Sequence, residues 1–331
     1  MKSLKITNQQ EPLQFVTVEK PTVGPNQVLV QLKAAALNRR DQWIREGKYP
    51  GIQMDVTLGS DGAGLVAEVG AGVSENWLNR EVIINPNINW GSNPTVQSVD
   101  YTILGMPTDG TLAEYVLVDA DRLVEKPAHL NWEEAAALPL GGLTAFRATF
   151  HHGQVSQDKN VLISGVGGGV AQFTFLYAVA AGANVYVTSG QDEKIAHCEK
   201  LGAKGGFNYK TEGWQKTAKA VGGFHTVIDS AGGNQINDFI KLMKPAGRIV
   251  FYGATNGMPE KLDVFRMFWN QITLQGATMG NDNEFTEMIS FINQHKIHPI
   301  IDSVRPFDEA ISAFDAMKSG RGFGKLVLVV G

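Results

Sequence analysis

Hydrophobic and polar positions change their period near residue 130. Before it, short β-branched or alternating runs recur at 15–18, 27–36, 64–69, 81–84 and 111–118, each bounded by Gly, Pro or Asn. That pattern predicts strands. Between the last two, residues 85–109 carry three prolines and many Asn, Gly and Ser. They predict a long loop, and loops of that length usually serve a function or descend from one. After the change, Asn131 is placed to cap a helix opening Trp132, Glu133, Glu134, whose carboxylates suit the positive helix end. Apolar positions over 135–150 keep helical spacing. Strand-like runs at 160–164, 184–188, 226–229 and 248–252 then alternate with helical stretches at 171–181, 193–201 and 235–242. Such alternation predicts an α/β domain with a parallel sheet covered on both faces. Past 262 come a strand-like run at 272–276, an amphipathic helix at 283–295 and terminal elements ending at 325–330.

A chain of 331 residues exceeds what one hydrophobic core usually supports, so two domains are expected. The net charge of −4 gives no global attraction for nucleic acid. No apolar run reaches the length of a membrane span, and the amino-terminal stretch 1–10 has no signal-like apolar core. Cys198 is the lone cysteine, which excludes an intramolecular disulfide and suits a reducing cytoplasm. One cysteine also cannot build a thiolate-rich zinc site. The seven histidines do not cluster as metal ligands.

The most informative stretch is NVLISGVGGGVA, residues 160–171. A buried strand runs into glycines and then a helix, so backbone can approach a pyrophosphate whose charge meets the helix start. Two registers are open: Gly165, Gly167 and Val170, or Val166, Gly168 and Ala171. The second fits better, because Ala is accepted at the third position. A tight turn alone would also explain a glycine cluster, but its place inside repeated βα units favours a cofactor. The second strand then ends at neutral Ser189 and Gly190 rather than at the acidic residue that holds an NAD ribose. Lys194, one turn into the next helix, suits a 2′-phosphate. NADP(H) is therefore the expected cofactor.

Several stretches carry a resemblance: PNQVLV (25–30), LNRRD (37–41), IREG (44–47), LGSDGAG (58–64), DGTLAEY (109–115), LPLGGLTA (138–145), DSAGG (229–233) and GFGKLV (322–327). With the glycine turn, they resemble the medium-chain dehydrogenase/reductase superfamily, specifically a zinc-less quinone-oxidoreductase-like member. The resemblance implies a Rossmann doubly wound parallel sheet, residues 128–262, inserted into a GroES-like β-barrel catalytic domain, residues 1–127 plus 263–331. It implies a homodimer joined through the strand near 272–276. The positions that hold catalytic zinc in relatives correspond to Asn38, Ser60 and Gly141, which cannot form a tetrahedral site. The cysteine-bearing zinc lobe of those relatives corresponds to 85–109, which has no cysteine. Arg40 replaces a relay hydroxyl, and Trp43 replaces a relay histidine.

By the same resemblance, Arg39 matches a pyrophosphate contact, Thr144 lies beneath the nicotinamide, and Tyr209 lies near the adenine and 2′-phosphate. Gly168, Gly169 and Val170 open the phosphate-binding helix. Ser230, Gly253 and Ala254 end later strands, and Lys325 is placed to reach the phosphates. Asn38 and Arg40 are the expected polar members of a substrate cleft between the domains, and Trp43, Tyr49 and Trp269 its apolar wall. The expected reaction is hydride transfer from NADPH to a quinone, an enone or an aldehyde, with no metal, no nucleic acid and no membrane. A conjugated acceptor spreads the developing charge, which lessens the need for a Lewis acid. The alternatives are an aldehyde or alcohol oxidoreductase, and a non-catalytic NADPH-binding sensor or structural protein.

Overall fold

A computed structural model describes residues 1–8 and 12–331; Gln9 and Gln10 of the amino-terminal stretch lie outside the described residues. The chain divides into two compact units, Met1–Gly141 with Asn281–Gly331, and Gly142–Gly280. These divisions fall later than the change of rhythm near 130. The helix Trp132–Ala137 packs on the strands Gln27–Ala36, Asp61–Val69 and Lys325–Val329. The strand Thr273–Gly276 pairs with Met243–Phe251.

The unit 142–280 holds a six-stranded parallel sheet. In chain order its strands are Asn160–Ile163, Asn184–Ser189, Gly205–Asn208, Phe224–Asp229, Met243–Phe251 and Thr273–Gly276. In space they run third, second, first, fourth, fifth, sixth, the order of a dinucleotide-binding sheet. Its inner strands are continuous apolar runs, with Val161, Leu162, Ile163, Val227 and Ile228 fully buried, because helices cover both faces. The third strand escapes a pattern search since it opens on two glycines. A Cβ at Gly206 would lie 2.3 Å from the Ile195 side chain, so glycine lets the helix Asp192–Lys200 sit directly on the sheet.

In the other unit, Gln27–Ala36 pairs antiparallel with Asp61–Val69, Tyr115–Asp119 and Lys325–Val329, at the centre of a seven-stranded sheet. Its register slips twice against Asp61–Val69, and such bulges bend a sheet toward closure. A Cβ at Gly64 would lie 2.0 Å from the Gln31 carbonyl oxygen, so only glycine fits there. The expected loop 85–109 is not featureless. Asn87–Ile88 pairs with Thr102–Ile103. The helix Asp282–His295, capped by Asn281, fastens this loop through one carboxylate. Asp282 Oδ1 accepts from Asn85 Nδ2 (2.9 Å), Asn87 Nδ2 (3.2 Å) and Arg122 Nη1 (2.8 Å), and Oδ2 accepts from Arg122 Nη2 (2.9 Å). Among the described residues no helix is long and apolar enough to cross a membrane.

The Asp282 clamp generates a stability prediction. Asp282→Ala takes from the largely buried Arg122 one of its two bidentate carboxylates, leaving Asp121, and should cost about 1–3 kcal/mol. The cost falls toward the lower end because half of the Asp282 side chain is exposed. Urea unfolding should show a lower midpoint, and an unchanged midpoint would mean that the clamp holds nothing.

Candidate functional site

In the unit 142–280, the first strand ends at Ile163 and the next helix spans Gly169–Ala180. Gly168 is the N-cap in an extended conformation (φ −74°, ψ 151°) with no side-chain cap. The first-turn N–H groups at Gly169 and Val170 therefore lack an intrahelical partner and are available to an anion. Gly165 turns the chain at φ +57°. Its N–H donates to Thr188 Oγ1 at 3.1 Å, and Val166 N–H donates to the Thr188 carbonyl at 3.1 Å. The turn is thus pinned to the end of the second strand.

That strand ends in Ser189, whose hydroxyl accepts from Gln191 N–H at 3.1 Å. A Cβ at Gly190 would lie 2.8 Å from both the Tyr209 hydroxyl and Lys210 Cε. Tyr209 therefore sits at the neutral strand end, and it brings Lys210, which pattern reasoning missed although it is the next residue. Lys194 lies on the first turn of Asp192–Lys200, half-buried. Ser230, Gly253 and Ala254 follow the fourth and fifth strands. A Cβ at Gly253 would come within 2.6 Å of the Ser230 carbonyl oxygen. Beneath them, buried Asp229 bonds the Ser164 hydroxyl and accepts from Gly232 N–H at 2.7 Å; burial pushes its carboxyl above the usual range. Thr144 is buried, with its hydroxyl 3.6 Å from Met279 Sδ. The open helix start and the glycine-lined strand ends fit the pyrophosphate of a nicotinamide dinucleotide.

The second cluster belongs to the other unit. Asn38 caps the short helix Arg39–Arg45, and its N–H donates to Asp41 Oδ2 at 2.8 Å. The Asn38 side chain donates to Asp61 Oδ2 (2.9 Å) and accepts from Lys325 Nζ (2.7 Å). Lys325 also donates to Asp61 Oδ2 at 2.8 Å, and Asp61 Oδ1 accepts from Leu140 N–H at 2.7 Å. Lys325 is 2% exposed and Asp61 not at all. Beside this group, Arg40 Nη1 donates to Ser60 Oγ (2.6 Å) and the Leu104 carbonyl (2.9 Å). Arg40 Nη2 reaches the Met106 carbonyl and Nε the Tyr49 hydroxyl, both at 3.4 Å. Burial pushes the Asp41 carboxyl up to about 6, against the opposing pull of Arg40 and of the Asn38 N–H. Arg39 is exposed and Trp43 half-buried on the same helix.

Of the residues expected from sequence, Asn38 and Lys325 are bonded to each other here, with Arg40 on Ser60 nearby. Trp269, expected in an apolar wall, is 73% exposed on Val264–Trp269. Asp61, the acceptor that gathers the cluster, was missed; its signal was an acidic residue inside the glycine-rich stretch 58–64. The positions that the resemblance matches to zinc ligands carry an amide, a hydroxyl and a glycine, with the Lys325 ammonium bonded to the amide and the Arg40 guanidinium to the hydroxyl. Cations repel a metal ion and donate nothing to it, so the side chains present do not fit zinc. Among the described residues no group of three or more His, Cys, Asp or Glu could hold a metal ion.

Comparison with known proteins agrees with this architecture. The alcohol dehydrogenase GroES-like domain family matches residues 24–128, and the zinc-binding dehydrogenase family matches 169–294. The chain is similar to the zinc-type alcohol dehydrogenase-like protein YogA of Leptosphaeria maculans, 40% identical over 96% of this chain and 95% of that protein. It is also similar to the crotonyl-CoA carboxylase/reductase of Cereibacter sphaeroides, 27% identical over 93% of this chain and 81% of that protein. A crystal structure of an NAD-dependent alcohol dehydrogenase superposes with a TM-score of 0.95, at 33% identity over the whole of both chains. With its GroES-like domain, its doubly wound sheet and these relatives, the chain belongs to the medium-chain dehydrogenase/reductase superfamily.

Proposed function

We propose that this chain is a zinc-independent, quinone-oxidoreductase-like member that uses NADP(H) to reduce a quinone or another conjugated carbonyl compound. The observation that carries this reading is the pair of buried cations, Arg40 and Lys325, bonded to the side chains at two zinc-ligand positions. Reduced nicotinamide, when bound, supplies a hydride to the acceptor. The chain must then stabilise the negative charge that develops on the acceptor oxygen, and fixed donors in a low-dielectric site do this without reorganising. An enone or quinone spreads that charge through conjugation, so a buried guanidinium and its neighbours suffice where a plain ketone would call for a metal ion. Water then supplies the proton that completes the reduced product. The name of the crotonyl-CoA relative denotes a conjugated acyl thioester and supports the same acceptor class.

NADP is favoured by the neutral strand end at Ser189 and Gly190, with Lys194, Tyr209 and Lys210 around it. The remaining cofactor contacts in this reading are Arg39, Thr144, Gly168, Gly169, Val170, Ser230, Gly253 and Ala254. Lys325, expected at the phosphates, acts instead through the cluster it holds together with Asn38. A second reading, an alcohol or aldehyde oxidoreductase, is favoured by the names of the YogA relative and of the superposed structure.

A second copy of the chain is the proposed partner. Thr273–Gly276 is an edge strand, and beside it in sequence Val264, Phe265, Phe268 and Trp269 are 61–73% exposed. The Phe265 and Trp269 rings stack with centroids 6.4 Å apart. Open backbone donors beside an uncovered aromatic patch suit a self-complementary interface.

Three measurements test these proposals. Assayed with quinones, enones, aldehydes and alcohols, the protein should turn over the conjugated acceptors at least about 100-fold faster in kcat/KM, a difference of a few kcal/mol. Turnover confined to alcohols and simple aldehydes would favour the second reading. Lys194→Ala and Lys210→Ala should each weaken NADPH about 10-fold and NADH little, as loss of one charge-assisted contact implies; equal weakening of both would remove the 2′-phosphate role. Phe265→Glu combined with Trp269→Glu should convert a dimer to a monomer in light scattering, and an unchanged mass would place the interface elsewhere.

A further inference from the structure

The loop 85–109 contributes more to the Arg40 cluster than a lining. Its Leu104 and Met106 carbonyls accept from Arg40, and three residues before Leu104 it carries Tyr101. The Tyr101 ring packs edge-on against Trp90, with centroids 5.3 Å apart. Its hydroxyl is buried and has no hydrogen-bond partner among the described residues. A buried phenol without a partner is uncommon, because phenylalanine fills the same space without losing a hydrogen bond to water. Arg40, Tyr49 and Asp282 all act electrostatically on this hydroxyl, and the Asp282 oxygens already accept from Asn85, Asn87 and Arg122.

Donors outnumber acceptors there. A guanidinium has five N–H groups, and four are taken up by Tyr49, Ser60, Leu104 and Met106, which leaves one on Nη2. Tyr49 accepts from Arg40 Nε, so its own O–H is left to donate. Tyr101 adds a third uncommitted donor. Three such donors with no acceptor of their own suit an oxygen carrying partial negative charge.

We propose that Tyr101 is a substrate-binding residue, donating a hydrogen bond, together with Arg40 and Tyr49, to the carbonyl oxygen of the acceptor. The assignment rests on the reading above that the acceptor is a carbonyl compound. It gives the loop 85–109 a part in substrate recognition: it carries one donor and positions the cation that supplies another. Burial holds the Tyr101 phenol well above its usual range, so the hydroxyl remains a donor at neutral pH.

The test uses 4-(dimethylamino)cinnamaldehyde, a conjugated aldehyde whose absorption moves to the red when its oxygen accepts hydrogen bonds. The protein is titrated with this dye in the presence of NADP⁺, so that no turnover occurs. The wild type should bind it with a red shift. Tyr101→Phe should bind about 10-fold more weakly with a smaller shift, and kcat/KM for an enone should fall about 10- to 100-fold. Because the hydroxyl has no partner to lose, the melting temperature of the variant should not fall. An unchanged shift and affinity in Tyr101→Phe, or no dye binding by the wild type, overturns the assignment. A wild type that shifts the dye but reduces no conjugated acceptor overturns the reductase reading and leaves the carbonyl site standing.

Discussion

Asp61 is the acceptor around which the first unit's polar cluster is built. It is fully buried, and its two oxygens take hydrogen bonds from the Lys325 ammonium, the Asn38 amide and the Leu140 backbone N–H. Those groups come from the far carboxyl-terminal strand, the cap of the helix Arg39–Arg45 and the start of Pro139–Phe146. A buried carboxylate is tolerable only when paired and hydrogen-bonded, and losing one partner of such a pair typically costs about 3–5 kcal/mol. The ends of three distant segments are therefore held to one geometry.

That geometry makes the neighbouring positions a poor fit for a metal ion. With Lys325 bonded to Asn38 and Arg40 bonded to Ser60, fixed positive charge lies against two of the positions that the resemblance matches to zinc ligands. A guanidinium stabilises an oxyanion less sharply than a divalent ion, but it is always protonated and fixes its donors in a plane. Acceptors that spread their own charge match that weaker electrophile. The loop 85–109 belongs to the same arrangement: its carbonyls hold Arg40 on one side, and the Asp282 clamp fixes the loop on the other.

Much of the fold was legible in the chain because its signals are local. The runs 27–36 and 81–84 and the helix 235–242 appear with the bounds that periodicity predicts. The third Rossmann strand did not announce itself, since Gly205 and Gly206 answer to the packing of Ile195 rather than to strand propensity. Helical spacing over 135–150 hid a break at Pro139 and a wide turn at Arg147–His152. In the candidate site, Asn38, Arg40 and Lys325 could be singled out one by one. Their grouping could not, because the Asn38–Lys325 bond joins residues 287 positions apart. Asp61 and Tyr101 passed unnoticed for the same reason: their importance lies in what surrounds them, an excess of donors for one and an absence of partners for the other.

Zinc stoichiometry tests this account most directly. Protein purified from zinc-supplemented cells and analysed by plasma mass spectrometry should carry only traces of the metal, and exhaustive chelation should leave its nicotinamide-dependent turnover unchanged. Stoichiometric zinc whose removal abolishes turnover, and whose return restores it, would contradict the replacement of a metal ion by buried cations.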